Sequence, residues 1–376
     1  MDVVITGIGL SSCLGSLPTT WSSIVRGRSG IQSLQIFDHL SPYPLGLIDS
    51  QPSKIEVLTR NILLDALQDA RLQTPLSQAG VVIGSSRGCQ ATWEDLATEI
   101  YCSEANNFAG NWLQTLPHQP AIIAANYLQT TQPVLAPMAA CATGIWALAR
   151  GYELIKTGRC DRVIAGAVET PLSPLTLAAF GQMGALANTG CYPFDRQREG
   201  LVLGEGGAMF VLETAELARD RQVPVYGQIK GFGLTCDAYH VSAPQAVNGS
   251  AARAIKQSLE RGGLEAAEID YIHAHGTSTV LNDRHEASLI QHIFPHRVAV
   301  SASKGATGHT LGASGAINTA LTLMAMKQGY LPPCVGLNDL EFDLNLVTQA
   351  REAKCDRAMC FSFGFGGQNA VITLSK

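Results

Sequence analysis

Short β-branched runs alternate with Ala- and Leu-rich stretches along most of this chain. Val81-Val82-Ile83-Gly84, Arg162-Val163-Ile164-Ala165-Gly166 and Arg297-Val298-Ala299-Val300-Ser301 are runs of the first kind. They predict strands, the stretches between them predict helices, and the alternation predicts an α/β fold. The chain opens on Val3-Val4-Ile5, a strand from the start, with no basic leader pattern. No signal or transit peptide is therefore expected. No apolar run is long enough for a membrane helix, so membrane insertion is not expected.

The pattern occurs twice. Ile5-Thr6-Gly7-Ile8-Gly9-Leu10 matches Ile229-Lys230-Gly231-Phe232-Gly233-Leu234. Gly144 opens an apolar helix that closes at Lys156-Thr157-Gly158, and Gly315 opens one that closes at Lys327-Gln328-Gly329. Asp161-Arg162 and Asp356-Arg357 each precede a strand. Three matches in the same order indicate a duplication. The halves divide into residues 1–220 and 221–376, near a charged stretch that runs from Glu213 to Arg221 and is followed by Pro224. Pseudo-symmetric packing of such halves would bring their matching loops to one site.

Composition sharpens this picture. Charged residues are 15% of the 376 and the net charge is −5. The low charge suggests tight helix-on-sheet packing and a large subunit interface. Without a Lys/Arg cluster, a nucleic-acid partner is not expected. The ten cysteines contain no C-x-x-C spacing, so they read as reduced thiols of a cytoplasmic protein, not as zinc ligands.

One cysteine stands apart. Ala140-Cys141-Ala142-Thr143-Gly144 lies between a strand at 133–136 and the Gly144 helix. A thiol at a sharp strand-to-helix turn, among small neighbours, is open to a substrate. A helix N-terminus is expected to lower its pKa and to offer N–H groups to an oxyanion. The alternative is a small core cysteine, the reading kept for the other nine. His275 and His309 occupy polar, Gly-containing loops after strands, a setting suited to acid/base or oxyanion work. His273, one side-chain alternation away from His275, reads as structural. No histidine spacing suggests a metal.

Together these segments resemble the β-ketoacyl-acyl-carrier-protein synthases, the elongating ketosynthases of the thiolase superfamily. Val4 to Leu10, Ala140 to Gly144, Pro193-Phe194-Asp195 with Gly204-Glu205-Gly206, His275 to Thr279 with Asn282-Asp283, Lys304 to Gly312, and Phe361 to Gly367 carry the likeness in the family's order. The resemblance implies a five-layered αβαβα sandwich of two similar halves, a homodimer, and no bound cofactor. Substrates would ride on the phosphopantetheine of an acyl carrier protein. By the same resemblance, Cys141 would take the acyl chain, and His275 and His309 would assist malonyl decarboxylation and hold the enolate oxygen. Lys304 with Glu286 would set the electrostatics. The N–H groups of Cys141 and Phe365 would form the oxyanion hole, with Phe365 also a gate. Thr277 and Thr279 would bind the pantetheine arm, and Phe180 would stand near the pocket. For Phe180 and Glu286 the ordinary readings are a core aromatic and a helix-start charge.

The sequence departs from the family pattern in places. It is short by roughly thirty residues, largely within 37–62 (a family comparison, not a fold rule). In Gly84-Ser85-Ser86-Arg87-Gly88, Arg87 stands where the family has a small or aliphatic residue at the floor of the acyl pocket. Arg87 must turn away, meet an acid, or face a short or polar acyl group. Residues 116–128 lack the family wording, and Gln182-Met183-Gly184 offers no basic residue for a carrier. Two other readings are a non-catalytic partner subunit, which would lack the cysteine, and a degradative thiolase, which would carry a second cysteine in the 363–368 loop.

Overall fold

The computed structural model describes residues 1–102 and 112–376. Its large sheet runs in a symmetric order. From one side come strands Val134–Leu135, Gly80–Gly84, Arg162–Glu169, Gly206–Thr214 and Val3–Ser12. From the other come Asn345–Leu346, Ala299–Ser301, Tyr271–His273, Arg357–Gly364, Gln368–Ser375 and Gly227–Cys236. Among the described residues, the strands of the two series pair through Val4/Gln228 and Ile5/Gly227. Each repeats the same motif. Val3–Ser12 pairs antiparallel with Gly206–Thr214 and shifts register between Ile5 and Gly7. Gly227–Cys236 pairs antiparallel with Gln368–Ser375 and shifts between Ile229 and Gly231.

Side-chain alternation along the strands creates the layers. Phe210 and Leu212 face one core, while Met209 and Val211 face another. Cys360 enters the same first core from the second series, and Met359 and Phe361 enter a third. The first core holds helices Thr143–Lys156 and Ser314–Gln328, sandwiched between the two series. Helices Ile55–Asp69 and Gln119–Leu128 cover one outer face, and Ser250–Gly262 and Val280–Ile293 the other. The result is the five-layered αβαβα sandwich of the thiolase fold.

The middle helices explain why each half needs its Gly. A Cβ on Gly144 would stand 2.5 Å from the Ala316 nitrogen, and one on Gly315 would stand 3.1 Å from the Ile145 nitrogen. The helices therefore cross with backbones in contact. Helix Ser314–Gln328 is buried from Ser314 to Met326, so it has no solvent face.

The charged stretch from Glu213 to Arg221 begins inside strand Gly206–Thr214. Glu213 is fully buried and accepts from Thr6 Oγ1 at 2.7 Å, Arg162 Nε at 2.6 Å and Arg221 Nη1 at 2.6 Å. Among the described residues no helix is long and apolar enough to cross a membrane.

Candidate active site

Cys141 sits where the sequence places it, between strand Val134–Leu135 and helix Thr143–Lys156. The elbow is sharp because Ala140 takes φ +45°, a left-handed conformation that costs a non-glycine residue of order 1 kcal/mol or more. Thr143 Oγ1 braces it by donating to the Ala140 carbonyl at 2.7 Å and accepting from the Ala139 N–H at 2.9 Å. Ser362 Oγ donates to the Cys141 carbonyl at 2.8 Å and ties the elbow to the other half.

The two histidine loops come from that other half. One follows strand Tyr271–His273 and carries His275; the other, before helix Ser314–Gln328, carries His309. Cys141 Sγ and one ring nitrogen of each histidine lie within 4.8 Å of one another, all buried. The imidazoles meet edge to face with centroids 5.3 Å apart. His273 is buried on the far side of its strand, outside this trio, with Nε2 unpartnered.

Buried partners fix the ring orientations. Lys304 Nζ lies 3.3 Å from His275 Nδ1 and also donates to the His275 carbonyl. An ammonium can only donate, so Nδ1 accepts and His275 carries its proton on Nε2. Ser314 Oγ lies 2.8 Å from His309 Nδ1. Glu286 accepts from the His275 N–H at 2.6 Å and the Gly276 N–H at 2.8 Å, which clamps the loop backbone. Lys304 and Glu286 thus grip His275 from two sides without pairing directly. Burial raises the Glu286 carboxyl and lowers the Lys304 ammonium from their ordinary values.

Burial also acts on the reacting groups, and here the thiol departs from expectation. The Cys141 thiol is pushed up to about 11 because desolvation outweighs the cations of Lys304 and Arg87 and the Phe365 N–H, while Glu169 raises it further. The helix N-terminus does not make a resting thiolate, since Cys141 is only 9% exposed. Both histidines fall well below the usual imidazole range, first through desolvation and then through Lys304. The trio at rest is a thiol and two neutral imidazoles. Its three donors could bridge a divalent cation, but the Lys304 ammonium beside them opposes a second positive charge.

A cavity of about 320 Å³ opens above the trio. Cys141, Phe180, His275, Thr277, Thr279, His309 and Phe365 all line it. Phe365 is 37% exposed at its rim, just before Gly366 and Gly367 at φ +76° and +73°. Phe180 stacks with it at 6.2 Å and 22°. Thr277 and Thr279 share a hydrogen bond of 2.9 Å, and Thr279 also caps helix Val280–Ile293. Arg87 does not line this cavity. It is half-buried, with its guanidinium 5.5 Å above the Phe180 ring. Helix Gln119–Leu128, within the segment that departs from the family wording, turns Ala121, Ala124 and Leu128 into a core. Met183 stands at the mouth and is exposed.

Sequence reasoning missed Ser314 and Glu169. Ser314 is one serine at a helix start with no motif around it. Glu169 is buried at a strand end, accepts from the Ser86 and Arg87 N–H groups, and thereby positions the Arg87 loop.

The chain is similar to known proteins along its whole length. A family model described as the beta-ketoacyl synthase N-terminal domain matches residues 53–218, and its C-terminal companion matches 226–338. A Schizosaccharomyces pombe protein named as a mitochondrial 3-oxoacyl-acyl-carrier-protein synthase is 32% identical, covering 100% of this chain and 99% of its own. The Staphylococcus aureus 3-oxoacyl-acyl-carrier-protein synthase 2 is 30% identical over 100% of this chain and 98% of its own. A type II polyketide ketosynthase, solved with its acyl-carrier protein and a hexaketide, superposes with a TM-score of 0.94 at 26% identity, over 100% of this chain and 99% of that one.

Proposed function

This chain belongs to the β-ketoacyl synthase family, and we propose that it joins an acyl group held on Cys141 to a malonyl unit held on an acyl carrier protein. It is an acyltransferase-class enzyme of fatty-acid or polyketide-type chain elongation. The observation that carries this reading is the convergence of one thiol and two neutral imidazoles within 4.8 Å at the base of an open cavity.

Cys141 Sγ attacks the thioester carbonyl of the incoming acyl chain. The carrier's pantetheine sulfur leaves and takes up the thiol proton. Because the thiol rests protonated, loss of that proton accompanies attack, and the N–H groups of Cys141 and Phe365 receive the developing oxyanion. A malonyl thioester then enters past Phe365, its pantetheine arm against Thr277 and Thr279. Its carboxylate carbon–carbon bond breaks, carbon dioxide departs, and the electron pair becomes an enolate. His275 and His309 donate to the enolate oxygen. Neutral imidazoles suit this role, since each keeps one N–H and neither must first be charged. The carbanion attacks the acyl carbonyl on Cys141, the thiolate is expelled and reprotonated, and a 3-oxoacyl thioester two carbons longer leaves on the carrier.

The protein works as a homodimer. Helix Gln90–Cys102 buries none of its own side chains, and Trp93, Ile100, Tyr101 and, on the edge strand, Leu135 are exposed. An apolar face of this kind calls for a partner surface. Sedimentation at micromolar concentration checks this, with a stable monomer as the contrary result.

The decisive experiment incubates the protein with acyl- and malonyl-carrier proteins. Mass spectrometry should find the acyl group on Cys141, then a 3-oxoacyl carrier and released carbon dioxide. Acyl mass on another cysteine would overturn the assignment.

A further inference from the structure

Cys141 shares an apolar cluster with Leu172, Leu177, Phe180 and Leu311. An acyl chain on the thiol would begin among these groups. Beyond Phe180 the surroundings change character. Arg87 lies over that ring, and helix Pro174–Gln182, which carries Phe180, is capped by a polar cluster. Gln90 Nε2 donates to Glu94 at 2.9 Å and to Thr176 at 3.0 Å. Ser173 Oγ and the Leu175 N–H donate to Glu94 at 2.6 and 3.0 Å. The oxygens of Glu94 are therefore occupied by its own neighbours.

Arg87 is not satisfied in this way. Its guanidinium has five N–H groups. Among the described residues it makes one long contact, from Nη1 to Gln90 Oε1 at 3.4 Å, and no ion pair. Its backbone is held firmly, because the Ser86 and Arg87 N–H groups are anchored on buried Glu169 and Ser86 Oγ accepts from the Gly312 N–H at 3.2 Å. Gly312 stands three residues from His309, so the Arg87 loop is fastened to the catalytic turn. Phe180, the ring that the guanidinium covers, belongs to the same apolar cluster as Cys141.

We propose that Arg87 selects acyl groups that carry a hydrogen-bond-accepting oxygen, oxo or carboxylate, beyond an apolar stretch next to the thioester. This rests on the condensing function proposed above and names its acyl substrate class. A saturated chain reaching the guanidinium would strip water from it and return nothing. An oxygen-bearing chain would replace that water with a charge-assisted hydrogen bond.

The test acylates Cys141 of the intact protein with pantetheine thioesters of hexanoate, 5-oxohexanoate and adipate, read by mass spectrometry over time. Wild type should favour the oxo or carboxylate chain over hexanoate by at least about tenfold in rate per concentration, the ratio that about 1.4 kcal/mol represents. Arg87→Leu should reverse the preference, and Arg87→Lys should restore part of it. A larger ratio for adipate than for 5-oxohexanoate identifies a carboxylate, and the opposite order identifies a carbonyl. A wild-type preference for hexanoate, or a ratio that Arg87→Leu leaves unchanged, overturns the proposal while the condensing reading stands. Failure of every thioester to acylate Cys141 in every variant overturns both.

Discussion

The elbow that presents Cys141 and the elbow that follows His309 are the same device used twice. Ala140 at φ +45° lies four residues before Gly144, and Leu311 at φ +41° lies four before Gly315. Each elbow feeds a central helix, and the helices touch at those glycines. At the matching positions, however, one elbow holds Cys141 and the other Gly312. In the second half the chemistry moved to His309, three residues earlier, and to the His275 loop. The two backbones are equivalent and their side chains differ, one turn carrying the Cys141 thiol and the other the His309 imidazole. Burial treats them alike. It raises the thiol and lowers the imidazoles, so each group rests uncharged. The charge that remains belongs to Lys304 and Glu286, which hold His275.

The largest effect expected from breaking this division of labour is at the nucleophile. Cys141→Gln should lower condensation by at least about 10⁴-fold. Carbon dioxide release from malonyl-carrier protein should persist, since the donor elbow is untouched and an amide can stand in for an acylated thiol. Loss of both activities together would mean the elbows do not act separately.

The donor side should fail in the opposite sense. His309→Ala should reduce malonyl decarboxylation by on the order of 10² to 10³, while acyl transfer onto Cys141 survives better. Radiometric carbon dioxide release alongside acyl-enzyme mass distinguishes the two steps, and an unchanged release rate would remove His309 from the decarboxylation.

A pH series sharpens the electrostatic half of the comparison. With the Cys141 thiol near 11, its thiolate fraction rises as pH rises. Iodoacetamide labelling of Cys141 should climb about tenfold per pH unit above neutrality. A plateau near pH 8 would show that the helix N-terminus dominates burial. Depressed imidazoles stay neutral as pH falls through the usual histidine range near 6.5. Malonyl decarboxylation should therefore hold its rate there, measured in buffers of constant ionic strength.

The smallest effect separates the two glycines. Gly144→Ala sets a Cβ against the backbone of Ala316 and should cost about 1–3 kcal/mol in denaturant unfolding. At Gly315 the nearest atom is Ile145 Cγ1, 2.9 Å away, which can yield. Gly315→Ala should cost less, and the reverse order would contradict the packing described.

Much of this was legible in the chain. The strand runs, the twofold pattern and the loops around Cys141, His275 and His309 are local features, written in spacing and residue type. Backbone propensity and alternation decide them within a few residues, so a sequence displays them directly. Other properties depend on groups far apart in the chain. The expected thiolate became a buried thiol because desolvation by the packed fold outweighs the cations of Lys304 and Arg87 and the N–H of Phe365 from the opposite half. Ser314 could not be singled out, since its role exists only once a ring nitrogen lies beside it. That the Arg87 guanidinium lies over the Phe180 ring likewise follows only from the assembled fold. Sequence determined which chemical groups the protein owns and the elements that carry them. Tertiary structure decided their charge states and neighbours, because solvent exclusion and close contact are properties of the assembled fold and of no single segment.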